Sequence, residues 1–237
     1  MPTAVIDHVH HETPRSLLVR VAVDSPFGFA AGQSALIGEH GRGERRPYSI
    51  AVGPREAASS GRLEFLVGLG ADGSPGSHLP SPSPGTVIDI EGPIGTFRFP
   101  DGTPDRPLLF VAGGTGIAPL RAMLHDVLAS GRDVPMSLVY SARTPEEFAF
   151  DRELAALAAE GRLRYLRTVT RQAHADWPGE RGRIAPRHLE QALPGEDPMC
   201  FVCGPEALVH EVPRMLRELG IAPDRIRVEE WTKGGSE

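Results

Sequence analysis

Lysine is nearly missing from this chain of 237 residues, where Lys233 stands alone in a Gly-rich tail. That removes a Walker-type phosphate lysine and argues against Schiff-base chemistry. Cysteine is scarce as well: Cys200 and Cys203 are the only two. A disulfide framework and a four-cysteine plant-type iron–sulfur site within the chain are therefore excluded. No run approaches the roughly 18–20 uninterrupted apolar residues of a membrane span. The first residues, MPTAVIDHVHHETPRS, also lack the charged-then-apolar plan of a signal peptide. The expectation is a cytoplasmic protein with no membrane segment. A net charge of −6 works against nucleic-acid binding, which needs a basic face to neutralise phosphates.

Turn residues, by contrast, are plentiful. The 27 glycines and 23 prolines make up about a fifth of the chain, short of the fraction that signals disorder and suited to many tight turns. Up to about Phe99 the apolar residues come in short runs, SLLVRVAV, SALIG, YSIAV, LEFLVG and TVIDI, with no helical period between them. Strands of this length with Gly and Pro turns predict a small antiparallel barrel or sandwich, since closure removes exposed strand edges. After the turn-rich PDGTPDRP the pattern changes to short apolar strands alternating with helical stretches, which predicts a parallel sheet wound on both faces. The expected division is residues 1–102 and 103–237.

Three clusters carry chemistry. Gly113-Gly114-Thr115-Gly116 follows the apolar strand Leu108–Ala112 and opens a helix. Glycines let the backbone approach a phosphate, and a helix N-terminus offers unpaired N–H groups. A plain strand-to-helix turn would look the same, and the last position departs from G-x-G-x-x-G. Cys203-Gly204-Pro205 likewise ends a strand and leads into a helix, so in a doubly wound sheet both turns could face one ligand. Cys200 and Cys203 are not a redox pair, because residues three apart on a strand point to opposite faces. Arg46-Pro47-Tyr48-Ser49 puts a cation, an aromatic face and a hydroxyl within four residues, with Arg46 and Tyr48 sharing one strand face. His8, His10 and His11 have no acid or thiol partner at ligand spacing and read as a solvated segment, so no metal site is expected.

In that order and at those separations, the three clusters resemble the signatures of the ferredoxin-NADP reductase superfamily. Phe29-Ala30-Ala31-Gly32-Gln33 and Glu91-Gly92-Pro93-Ile94-Gly95-Thr96-Phe97 extend the likeness over nearly the whole chain. The resemblance implies an N-terminal flavin-binding β-barrel followed by an α/β nicotinamide-nucleotide domain. FAD, rather than FMN, would be held by Arg46, Pro47, Tyr48 and Ser49, with Arg46 on the pyrophosphate and Tyr48 packed on the isoalloxazine. Gly76 and Ser77 would wrap the pyrophosphate. Val67 would contribute only backbone, because Gly68 stands where relatives carry a lysine. Gly114, Thr115, Gly116, Cys203, Gly204 and Pro205 would hold NADPH or NADH. Ser49 and Cys203 are expected to flank the hydride-transfer contact, with Glu229 as the third catalytic residue. Arg143 stands where an NAD-type acid is expected, and Thr170-Arg171 resembles a 2′-phosphate pair, which favours NADPH. Trp231 would cover the flavin. The implied function is a flavoprotein reductase that passes electrons to a separate ferredoxin, flavodoxin, oxygenase component or haem protein. A diaphorase acting on small molecules and a non-turnover flavin-sensing subunit are the alternatives. Oligomeric state is not legible.

Overall fold

The computed structural model describes residues 2–100, 105–171 and 174–230. The chain divides into two compact units, one of Met1–Pro100 with Ala118–Gly131, the other of Asp101–Ile117 with Arg132–Glu237.

In the first unit, β1 (Thr3–Thr13), β2 (Ser16–Val23), β3 (Ser34–Glu39), β4 (Arg46–Ser49), β5 (Arg62–Gly68) and β6 (Val87–Ile94) form one antiparallel sheet in the order β4-β3-β6-β1-β2-β5. Ile50 bridges Phe65, and the Ala51 N–H donates to the Glu64 carbonyl at 2.8 Å. These contacts join the two end strands and close the sheet on itself, as the short alternating runs predict. Every second residue faces inward: Ile6, Val19, Val21, Ile37, Phe65, Val67, Ile88 and Ile90 share one core.

The sequence reading anticipates no helix in this half, yet α1 spans Pro54–Ser60 between the last signature residues and β5. Pro54 suits the first turn, where an N–H would be unpaired anyway, and Gly61 at φ 64° ends the helix by donating to the Ala57 carbonyl. Seven residues are too few to establish a helical period, so the helix was visible only through its flanking Pro and Gly. α2 (Ile117–Ser130) groups with this unit from Ala118 onward. Its nearly buried Arg121 donates through Nη1 to the Ala51 carbonyl at 2.7 Å and to Glu64 Oε2 at 2.9 Å, which pins the helix to the segment just after β4.

In the second unit, β7 (Leu108–Gly113), β8 (Met136–Ala142), β9 (Arg164–Val169), β10 (Glu180–Arg181), β11 (Met199–Gly204) and β12 (Ile226–Glu230) lie parallel in the order β10-β9-β8-β7-β11-β12. β7 and β11 are buried along their whole length, the pattern of central strands covered on both faces. α3 (Asp151–Ala159), α4 (Pro186–Ala192) and α5 (Glu206–Glu218) supply the remaining helices among the described residues. From β7 the chain steps outward through β8 to β9, then returns to the other side of β7 for β11 and β12. The sheet therefore reverses direction between β7 and β11, the position where open α/β sheets bind ligands. No helix among the described residues is long and apolar enough to cross a membrane.

Replacing Arg121 with leucine should leave Glu64 charged and unpaired in a mostly buried place and cost about 3 kcal/mol. Urea unfolding of the full chain measures it, and a loss below about 1 kcal/mol would show the pair to be incidental.

Candidate functional site

β4 presents Arg46 and Tyr48 on one side and the exposed Pro47 on the other, as a two-residue period requires. β3 holds the strand in register, with Ser34 opposite Ser49 and Ile37 opposite Arg46. The loop between β5 and β6 comes up beside it. There Gly76 sits at φ +109°, a conformation that side chains rarely adopt. Its turn brings Ser77 and His78 to the Arg46–Tyr48 face. A β-carbon on Gly76 would stand 3.6 Å from Arg46 Nη1 and 3.4 Å from His78 Nδ1.

The donors there converge on an anion that the chain itself supplies. Arg46 Nη2 and Nε lie 3.0 and 3.3 Å from Glu44 Oε1, and Ser77 Oγ donates to Glu44 Oε2 at 2.5 Å. Those hydrogen bonds hold the Glu44 carboxyl below its ordinary pKa. The Tyr48 hydroxyl and His78 Nε2 lie 2.8 Å apart, with the rings stacked at 5.6 Å. Burial pushes the Tyr48 phenol up to about 12 and the His78 imidazole down. Both are therefore neutral near pH 7, and among the described residues His78 Nδ1 is buried with no hydrogen-bond partner. A guanidinium and a hydroxyl that already grip the two oxygens of one oxyanion, with a positive-φ glycine beside them and an aromatic ring adjacent, fit the phosphate and ring of a flavin nucleotide.

The stretches at residues 29–33 and 91–97 support this strand. A β-carbon on Gly32, at φ +97°, would overlap the Phe97 carbonyl oxygen. Gln33 Nε2 donates to the Gly95 carbonyl at 3.0 Å, while the Gln33 carbonyl accepts the Ile50 N–H at 3.0 Å.

In the second unit the two remaining signatures lie back to back. β7 and β11 are adjacent, so Gly113–Gly116 and Cys203–Pro205 leave the sheet at its reversal point side by side. A β-carbon on Gly116 would overlap the Cys203 carbonyl oxygen and lie 2.8 Å from Gly204 Cα, and one on Gly204 would lie 3.1 Å from Gly113 Cα. These glycines are needed for close packing of two backbones. Gly114, at φ +55°, faces open space, and Thr115 beside it is half-buried. The bare backbone of this turn fits the close approach of a nucleotide phosphate.

Cys203 is buried, and its thiol lies 3.9 Å from Glu229 Oε2 on the neighbouring β12. Burial first, and the Glu229 carboxylate second, push that thiol well above its usual pKa, so it stays protonated. Cys200 packs into the apolar core on the other face of the same strand. At the far side of the sheet the Arg171 N–H donates to the Arg143 carbonyl at 2.9 Å, which places the two arginines at neighbouring strand ends.

Val67 is fully buried among the barrel's core side chains, so its side chain is committed to packing. Trp231 lies outside the described residues. His8 and His11 are exposed on β1, and the similarly exposed His10 bonds to Glu12 at 3.0 Å. Sequence reasoning missed Glu44, His78 and Arg121. Glu44 continues the two-residue period of Arg46 and Tyr48, which was the available signal. His78 carried none beyond its place in the turn.

Two family models match the chain: an oxidoreductase FAD-binding domain over residues 6–99 and an oxidoreductase NAD-binding domain over residues 110–213. A ferredoxin–NADP reductase B from Sorangium cellulosum is 33% identical over 227 residues, covering 92% of this chain and 91% of that protein. A reductase component of the naphthalene 1,2-dioxygenase and salicylate 5-hydroxylase systems of a Ralstonia species is 28% identical, covering 97% of this chain and 68% of its own. Among solved structures, a cytochrome P450 reductase from Amycolatopsis superposes with a TM-score of 0.83 at 24% identity, over 99% of this chain and 70% of the other, a likeness of fold.

Gly116→Ala should force the two turns apart and cost more than about 3 kcal/mol, because backbone is the obstacle and cannot rotate away. Gly114→Ala should cost only about 1–2 kcal/mol of backbone strain. Chemical unfolding of both variants, compared with wild type, separates them, and equal losses would remove the packing argument.

Acid stability provides a second check. The pKa values of His78 and His188 are both lowered by burial, so folding favours their neutral forms. Their contribution is complete above the unfolded histidine value of about 6.5 and is lost as pH falls through the lower folded values. The melting temperature should drop from pH 7.5 to 5.5, and by less in a His78→Gln/His188→Gln double variant. An identical drop in both proteins would assign the acid loss elsewhere.

Proposed function

We propose that this chain, which belongs to the ferredoxin-NADP reductase superfamily, passes electrons from NADPH through bound FAD to a separate one-electron acceptor protein. That it is an NAD(P)H-dependent flavin oxidoreductase using FAD and NAD(P)H follows from its two domain matches and its reductase relative. The observation that carries the reading is the presence of an FAD-binding and an NAD-binding domain in one chain, an arrangement with a purpose only if electrons move from one nucleotide to the other.

FAD supplies a group that accepts two electrons together and gives them up singly. The chain's own residues bind and orient. Arg46 and Ser77 hold the phosphate by charge-assisted hydrogen bonds, and Tyr48 offers its ring to the flavin. His78 keeps Tyr48 in place through the 2.8 Å bond to the phenol oxygen. Gly114, Thr115 and Gly116 offer backbone N–H groups to the coenzyme's phosphates, and Gly204 and Pro205 form the facing wall. Cys203 keeps its proton on Sγ, 3.9 Å from Glu229 Oε2, so beside a bound nicotinamide it would be a small, uncharged group, and Ser49 would serve the flavin. Val67 would lend only its backbone.

The preference for NADPH rests on Arg143 and Arg171 at neighbouring strand ends, where two guanidinium groups suit a 2′-phosphate. The acceptor is a partner protein, a reading supported by relatives named as a ferredoxin–NADP reductase and as the reductase component of a dioxygenase system. A cytoplasmic setting matches an intracellular reductant.

The purified protein should be yellow and should bleach anaerobically on adding NADPH. Reduction of a one-electron acceptor such as cytochrome c should outpace oxygen consumption. Arg171→Ala should lower kcat/KM for NADPH by about tenfold, the scale of one lost charged hydrogen bond, and leave NADH unchanged. A colourless protein that binds no FAD would overturn the reading. NADH as the better substrate, together with an inert Arg171→Ala, would overturn only the coenzyme preference.

A further inference from the structure

Arg46 and Ser77 lie 31 positions apart in sequence, yet both donate to the same carboxylate, and each takes a different oxygen of it: Arg46 takes Oε1 of Glu44 at 3.0 Å, and Ser77 takes Oε2 at 2.5 Å. Two non-bridging oxygens of a phosphate would be gripped in the same way. The single Ser77 hydroxyl proton cannot serve a carboxylate and a phosphate at once, and two anions brought to the Arg46 guanidinium repel each other. We propose that Glu44 is an internal competitor for the flavin's phosphate: its side chain must rotate off Arg46 and Ser77 before FAD can be held, so Glu44 sets how tightly the chain retains its cofactor. The inference rests on the flavin reading above.

Rotation of the side chain, rather than opening of the loop, is what the surroundings allow. The Glu44 backbone lies against β3 so closely that a β-carbon on Gly38 would overlap the Glu44 carbonyl oxygen. Its neighbours are tied down on both sides: Arg45 bonds to Glu91 at 2.9 Å, Arg42 to Glu39 at 3.1 Å and His40 to Asp89 at 2.7 Å. The Glu44 side chain itself is 43% exposed, so water is ready to receive the carboxylate when it turns away. Arg46 need not move far, since its position is set by the strand register opposite Ile37. The ionised state of Glu44, favoured by the Ser77 and Arg46 hydrogen bonds, makes it an effective rival to a phosphate.

A ligand that binds only the open arrangement has its apparent affinity reduced by the fraction of molecules that are open. If nine molecules in ten are closed, removing the competitor tightens FAD about tenfold. Riboflavin, which carries no phosphate, is indifferent to the contact. Glu44 is thus a selector against the phosphate of the cofactor and not against its ring.

The test uses the full chain freed of flavin, titrated with FAD and separately with riboflavin, with binding followed by flavin fluorescence and calorimetry. Glu44→Gln and Glu44→Ala should each tighten FAD, by about tenfold for the alanine variant, and leave riboflavin affinity unchanged. Arg46→Ala should weaken FAD. FAD affinity that is unchanged or weaker in both Glu44 variants, while Arg46→Ala still weakens it, would overturn the competitor and leave the flavin reading standing. The same holds for an equal gain with riboflavin. A wild-type chain that binds neither ligand would end both. Melting temperatures near the wild-type value confirm that the variants are folded, and Glu44→Gln preserves the side-chain shape if the alanine variant melts early.

Discussion

Gly116 of the first turn lies so close to Cys203 and Gly204 of the second that a β-carbon there would overlap backbone, and the rest of the second unit's turn region is arranged around this approach. It is possible because β7 and β11 are hydrogen-bonded neighbours whose chains leave in opposite directions around the sheet. Their turns therefore end at the same height and side by side. From that follow the bare backbone of the glycine turn, the placement of Cys203 at its flank, and the 3.9 Å approach of Cys203 to Glu229 on the next strand. A β-carbon on Gly116 would push the two turns apart and disturb all three.

The first unit solves a different problem by different means. Arg46, Tyr48 and Ser49 sit on β4, a strand of four residues at the end of the sheet. A strand that short has little register of its own. It is fixed from one side by β3, from the other by the Ile50 bridge to Phe65, and behind by the Arg121 bond to the Ala51 carbonyl. Buried ionic contacts such as Arg121 with Glu64 cost desolvation and are retained where they hold a specific arrangement. Here they hold the strand that carries Arg46, Tyr48 and Ser49. The neutral Tyr48–His78 couple serves the same end, since two uncharged groups can be buried side by side without a counter-ion.

Much of the molecule was legible before any coordinates. The change from two-residue alternation to strand–helix alternation near residue 100 separates a closed antiparallel sheet from a parallel one. Arg46, Tyr48 and Gly113–Gly116 stand out because cation, ring and glycine each answer a requirement of phosphate or aromatic binding. What escaped was of two kinds. α1 is too short for its period to register, and only its flanking Pro54 and Gly61 mark it. His78 and Arg121 are ordinary residue types at ordinary positions, with nothing local to distinguish them from solvated neighbours, and Glu44 carried only the two-residue period that it shares with Arg46 and Tyr48.

By itself the sequence determined element types, the order of the two halves, and which residues could bind anions and rings, because backbone conformation and side-chain chemistry are local properties. Only the tertiary structure decided that Ser77 and Arg46 share one carboxylate, that Arg121 reaches the segment after β4, and that Gly116 lies against Cys203. Each of these contacts depends on strand order and register. Those are chosen by the burial of whole faces against one another, a sum over the folded chain that no short stretch of sequence contains.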